Sequence, residues 1–188
     1  MPTNQAEITN TAAMEQYKAR IAAYTKGKDP IEMQREAPRT LARLIEGLPK
    51  EILKQSPEPG KWSIGSILAH LAEDEFASSW RYRQMIENSG TSLQGFDQEL
   101  WARLGDYESW EPGEAFEMFR LLREANLRML ANLTPEEWQR FGMHSERGRM
   151  TVRDLASQMA GHDMNHIEQV RKILSGYAQG SGADSLRR

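Results

Sequence analysis

The sequence predicts an all-α protein, a four-helix bundle with a long connection between its second and third helices. Three observations carry that expectation. Apolar residues recur at helical spacing in four stretches separated by prolines and glycines. Strand signals are scarce, since no run of β-branched residues alternates with polar ones for long. The 188 residues also suit one domain, at a prior of roughly 150 residues per domain.

Met1 to Ala13 is polar and reads as a frayed tail, with a short helix over Met14 to Tyr24 that stops at Lys26-Gly27-Lys28. Residues 1–28 are therefore assigned outside the bundle, which is expected over residues 29–176. Asp29-Pro30 supplies an N-cap and a first-turn proline for a helix to about Ile45 or Leu48, with Pro38 kinking it or marking its true start. Pro57, Pro59 and Gly60 make Ser56 to Lys61 a loop. Ser63 caps the second bundle helix, whose stripe is Ile64, Ile67, Leu68, Leu71, Tyr82, Met85 and Ile86, and which ends at Asn88-Ser89-Gly90.

Thr91 to Trp110 is the long connection, rich in aromatics, of a kind that serves as a lid or carries short helices. Pro112 opens the third helix, with Phe116, Phe119, Leu122, Leu127 and Leu130 facing inward, ending near Leu133. Thr134-Pro135-Glu136-Glu137 starts a helical turn, and His144 is expected in the loop that follows. Thr151 with Asp154 makes a capping-box start for the last helix, which extends to about Leu174 with Gly176 as its C-cap. Residues 177–188 read as a flexible tail.

Composition narrows the function classes. Hydrophobic residues at 39% and charged residues at 27% describe an ordinary soluble globule. No stretch approaches the ~18 consecutive apolar residues of a membrane helix, and the first residues lack a secretory pattern. With no cysteine, thiolate nucleophiles and Cys-ligated metals are excluded. A net charge of −3 leaves no basic surplus for nucleic acid. The expected setting is cytoplasmic, with no membrane and no nucleic-acid partner.

Four histidines carry the chemical signal: His70, His144, His162 and His166. His162 and His166 stand four apart, so they project from one helix face about one turn apart. At about 100° per residue both fall within ~80° of the centre of the stripe Val152, Leu155, Met159, Val170 and Ile173. Two imidazoles on a buried face need polar partners, because an unpaired buried polar group costs about 1–3 kcal/mol. A shared divalent metal meets that need, and so do separate hydrogen bonds to carboxylates or carbonyls. His70 lies at the edge of its own stripe and roughly 10 Å from its helix start, against about 16 and 22 Å for the pair. A modest axial stagger brings it level with them. Three histidines with an open fourth position for water form a recognised catalytic metal arrangement.

Asp74, one turn after His70, and Asp163, beside His162, are candidate partners for a ligand histidine or candidate bases. Glu73 and Glu75 are expected at the surface, although Glu75 falls near the stripe. His144 precedes the last helix closely enough to approach a site at that end. No Gly-rich phosphate loop or nucleophile elbow is present. Met118 and Leu121 add apolar surface to a second face of the third helix, which points to an interface.

Lys61-Trp62-Ser63-Ile64 leading to His70-Leu71, the segment Trp138 to Gly148, Thr151, and His162-Asp163-Met164-Asn165-His166-Ile167-Glu168-Gln169-Val170 together resemble the DinB-like (YfiT-type) superfamily. The likeness spans about Pro30 to Leu174, with Ser66 standing where an acidic residue is common. It implies a four-helix bundle, a homodimer, and a divalent ion (nickel or zinc, with iron or manganese as further candidates) held by His70, His162 and His166. It also implies metal-dependent hydrolysis or transfer of a low-molecular-weight thiol such as bacillithiol, or isomerisation with mycothiol. A non-catalytic metal- or ligand-binding stress protein is the alternative.

Overall fold

The computed structural model describes residues 5–184. In chain order they form α1 (Gln5–Thr25), α2 (Pro30–Ile45), α3 (Lys50–Lys54), α4 (Ile64–Glu87), β1 (Thr91–Leu93), α5 (Gln98–Leu104), α6 (Pro112–Ala131), α7 (Pro135–Trp138), β2 (Phe141–His144), β3 (Gly148–Thr151) and α8 (Val152–Asp184). The class is all-α with one small sheet. The four long helices α2, α4, α6 and α8 form the bundle: α4 packs on α6 and α8, and α2 packs on the same two. No described helix is long and apolar enough to cross a membrane.

The helix starts follow from their caps. Asp29 accepts from the Ile31 N–H at 2.8 Å and Ser63 from the Ser66 N–H at 3.0 Å. Thr151 and Asp154 cap reciprocally, the Asp154 N–H donating to Thr151 Oγ1 at 3.1 Å and the Thr151 N–H to Asp154 Oδ2 at 2.9 Å. Such caps contribute about 1 kcal/mol each. Pro38 neither starts nor stops α2. A proline leaves the carbonyl four residues earlier without its helical donor, and here Arg123 Nη1 of α6 donates to that Gln34 oxygen at 3.1 Å. The helix passes through the proline because a neighbouring helix supplies the missing hydrogen bond.

Several expectations are corrected. The segment read as a polar tail is helical from Gln5 onward, and α1 packs along α8. At Gly161 the two helices touch: a Cβ there would lie 2.5 Å from the Ile21 carbonyl oxygen, so only glycine allows this approach. The last helix does not stop at Gly176 but runs to Asp184, and residues 185–188 of the expected tail lie outside the described residues. A glycine within a helix costs only about 0.5–1 kcal/mol, and Tyr177, just beyond it, donates its hydroxyl to the Gln55 carbonyl at 2.8 Å. The long connection is partly ordered by β1 and α5.

The strands themselves were not expected. β2 and β3 form a hairpin and β1 joins β2 in parallel, with Leu93 opposite His144. Each is three or four residues long, too short for an alternating pattern to register in sequence. Gly142 fits against Leu93, whose Cγ would lie 2.5 Å from an added Cβ. His144 is thereby on a strand and not in a loop.

The interior has two apolar clusters. One gathers Leu41, Ile64, Ile67, Leu68, Leu71, Phe119, Ile167 and Val170, the other Tyr82, Met85, Leu93, Leu130, Val152, Leu155 and Met159. Between them, at mid-height on α2, α4, α6 and α8, lies a layer of buried polar groups that includes Gln34, Glu75, Arg123, Asn126 and Asp163. The histidines belong to that same level of the bundle.

Candidate metal centre

His70 stands on α4 and His162 and His166 on α8, all three buried. The stagger between the two helices brings the imidazoles together edge to edge. His162 Nε2 lies 3.1 Å from His70 Nε2 and 3.1 Å from His166 Nε2. Each ring offers one nitrogen to a common point, and these atoms lie within 4.8 Å of one another.

Three neutral imidazoles cannot satisfy one another in this arrangement. Each ring carries one N–H and one lone pair, so converging Nε2 atoms leave either protons or lone pairs facing each other. The second nitrogens decide which. His166 Nδ1 lies 3.0 Å from Gln169 Oε1, an acceptor only, so Nδ1 carries the proton and the Nε2 lone pair points at the cluster. His70 Nδ1 and His162 Nδ1 are buried without hydrogen-bond partners. Nitrogen ligands about 2.0–2.1 Å from a shared ion stand about 3 Å from each other, close to the spacing seen. The donor set fits a divalent cation of the kind imidazole favours.

Electrostatics agree with neutral rings. Burial lowers the His166 pKa to about 4, against a rise from Gln169. Burial, followed by the neighbouring imidazoles, holds His70 and His162 well below their usual value. Trp62, just before the Ser63 cap, lies with its ring 4.9 Å from that of His70 and limits how the imidazole turns.

The two candidate carboxylates part company. Asp74 Oδ2 is 3.4 Å from His162 Nδ1, too oblique for a hydrogen bond, which leaves that nitrogen unpartnered despite the short distance. Burial pushes the Asp74 pKa up to about 6, with Arg81 pulling it back. Asp163 is committed elsewhere. Both its oxygens accept from Arg123, at 2.5 and 3.0 Å, which engages it in an ion pair rather than with an imidazole.

Glu75, expected at the surface, is buried and accepts from Arg123 Nη2 at 2.8 Å and from Asn126 Nδ2 at 2.8 Å. Burial alone would lower the Arg123 pKa, but the charges of Asp163 and Glu75 hold it well above its usual value. Glu73 is half-buried and accepts from the Tyr107 hydroxyl at 2.6 Å.

The histidines open onto a cleft of about 870 Å³ walled also by Trp62, Asp74, Arg81, His144, Arg147 and Gln169. His144 thus reaches the site through the sheet, its Nδ1 accepting from the Glu146 N–H at 3.2 Å. Arg81, Arg147 and Gln169 were not singled out from sequence. Gln169 had a usable signal, its position three residues after His166; the arginines had none, since exposed and cleft-lining arginines look alike in a string of letters.

Residues 34–170 match the model of the DinB superfamily. The chain is 21% identical over 160 residues to a Bacillus subtilis protein named "Putative metal-dependent hydrolase YfiT", a match covering 84% of this chain and 90% of the relative. It is 24% identical over 139 residues to a protein of the same description from Oceanobacillus iheyensis, covering 73% and 80%. The solved structure of YfiT, described as having an unusual four-helix bundle topology, superposes with a TM-score of 0.71 at 19% identity over 77% of this chain and 83% of that one. A mycothiol-dependent maleylpyruvate isomerase shares the fold at a TM-score of 0.57 and 10% identity, over 73% of this chain and 56% of the isomerase. With the family model covering most of the bundle and three histidines gathered at its polar layer, the chain belongs to the DinB superfamily.

Proposed function

We propose that this chain is a metal-dependent enzyme that holds one divalent cation through His70, His162 and His166 and acts on a small molecule, by hydrolysis or by transfer of a low-molecular-weight thiol. The observation that carries the reading is the convergence of three buried Nε2 atoms with 3.1 Å spacings. A bound divalent ion supplies Lewis acidity and lowers the pKa of water or a thiol. The chain's own residues do the rest. His166 is held in its ligating tautomer by Gln169, Trp62 confines His70, and the bundle wall keeps one side of the site dry while the cleft admits a substrate. Asp74, whose Oδ2 lies 3.4 Å from His162 Nδ1, is the carboxylate to which this reading gives the role of base.

The names of the relatives favour hydrolysis, and the fold shared with a mycothiol-dependent isomerase favours a thiol. Zinc and nickel both suit an all-imidazole donor set. The cytoplasm and a homodimer complete the proposal; Phe76 and Trp80 on α4 and Met118 and Leu121 on α6 are exposed apolar residues available to a second copy.

The deciding experiment is elemental analysis of chain purified without an affinity tag, followed by assays of metal-replete and chelator-treated protein. Small esters and amides form one panel, thiols with electrophiles the other. One equivalent of metal and chelator-sensitive turnover in either panel is the expected result. Metal without turnover in both would favour a non-catalytic binding protein, and absence of metal would end the reading.

A further inference from the structure

The cleft is lined by two arginines that no carboxylate of the described residues contacts. Arg81, on α4, is only 8% exposed. Of the five N–H donors of a guanidinium, the fold engages one, which bonds the Gln94 carbonyl at 2.5 Å. Its plane is steadied by Phe96, whose ring centroid is 5.5 Å away. Arg147, in the turn between β2 and β3, is half-buried and lines the same cleft.

The other buried arginine among the described residues, Arg123, meets two carboxylates within hydrogen-bonding distance. Among the described residues, Arg81 and Arg147 meet none within 4.0 Å. The acids of the cleft do not pair with them: Asp74, Glu99 and Glu146 stay beyond ion-pair distance, and Asp97 is occupied in capping α5 through the Glu99 and Leu100 N–H groups at 3.0 and 3.1 Å. The two guanidiniums are close enough to sense each other and His144. Burial lowers the Arg81 pKa, the charge of Asp74 offsets part of the fall and that of Arg147 adds to it, and after burial these same two arginines lower that of His144. A fold that places a buried guanidinium and a half-buried one along the same cleft, neither in contact with a carboxylate, leaves donors there for an anion.

We propose that Arg81 and Arg147 form an oxyanion site in the same cleft as the three histidines, so that the molecule acted on carries a carboxylate or phosphate group. Planar guanidiniums bind either group with paired, charge-assisted hydrogen bonds. The assignment of the anion to a substrate rests on the function proposed above; the anion site itself does not, because its donors are protein groups.

The test is calorimetric titration of the chain, metal-loaded and chelator-treated, with inorganic phosphate, with succinate and with neutral dimethyl succinate. One of the two anions binds and the diester does not. Which anion binds tells phosphate from carboxylate. Arg147→Gln, in a surface turn where folding is not at stake, weakens that binding about tenfold, the loss expected for one charge-assisted contact, and Arg81→Gln weakens it at least as much. Both variants keep the metal content of the parent by elemental analysis. Arginine-dependent anion binding in a chain that takes up no metal would uphold this site while removing the metalloenzyme reading. Failure of the parent to bind either anion overturns the proposal. So does unchanged binding in Arg147→Gln, or binding that disappears with the metal and ignores both arginines.

Discussion

Arg123 on α6 grips both carboxylate oxygens of Asp163 on α8, at 2.5 and 3.0 Å, one residue away from the candidate ligand His162. The same guanidinium reaches Glu75 on α4 and the Gln34 carbonyl on α2. One side chain thereby ties the four bundle helices together at the height of the histidines. It sets the rotation of α8 that turns His162 and His166 toward His70.

Replacing Arg123 with Met should therefore destabilise the chain by about 3–5 kcal/mol, because Glu75 and Asp163 would be left buried and unpaired. Chemical denaturation monitored by circular dichroism measures this. A loss below about 1 kcal/mol would mean that the layer is not a structural tie. The triple variant in which Glu75 and Asp163 are also made neutral should recover part of the loss.

Replacing His166 with Ala should abolish stoichiometric metal while leaving a helical circular-dichroism spectrum. The side chain is a ligand candidate on a long helix whose remaining contacts persist. Elemental analysis of parent and variant, both purified without a tag, reads the outcome; undiminished metal would remove the three-histidine assignment.

Gln169 accepts the Nδ1 proton of His166 at 3.0 Å, and loss of such a partner costs about 10–100-fold in metal affinity. Gln169→Leu should lower affinity within that range in a competition with a chromophoric chelator, with Gln169→Glu retaining more. Equal affinity for all three chains would show that the tautomer is not set by this residue.

Acidification should weaken both fold and metal binding. An unfolded histidine titrates near ~6.5, whereas burial holds folded His166 near about 4 and places His70 and His162 well below their usual value. The folded pKa values are depressed for a base, so the neutral form is the one the fold favours. Stability from this source is present above ~6.5 and is lost as pH falls through it toward about 4, at about 1.4 kcal/mol per pH unit for each proton taken up on unfolding. Asp74 and Asp163, each raised to about 6 by burial, act in the opposite direction as two groups against three. Protons also compete with the ion for the same nitrogens. The rise in Tm on adding metal should be large at pH 7–8 and shrink toward pH 5. A rise that stays constant would exclude the histidines as ligands.

Light scattering should return about twice the monomer mass of 21.5 kDa at micromolar concentration. Trp80, 61% exposed, and Leu121, 52% exposed, are the residues to replace with Glu, one at a time. A particle of monomer mass in the unaltered chain would show that these residues do not serve self-association.

The sequence by itself determined the helices and the chemistry they offer. Helix faces come from local periodicity and helix starts from side chains within three residues, so Asp29, Ser63 and Thr151 were legible as caps, and His162 and His166 as one face. The expectation failed where the deciding contact lies far along the chain. Pro38 is tolerated because of Arg123, Gly176 is passed because the helix has support beyond it, and strands of three or four residues exist only through one another. Asp74 and Asp163 had equal standing as carboxylates beside histidines. Tertiary structure separated them by bringing Asp74 to His162 and giving Asp163 to Arg123. The rotation and stagger of one helix against another are collective results of packing, and no window of neighbouring residues contains them.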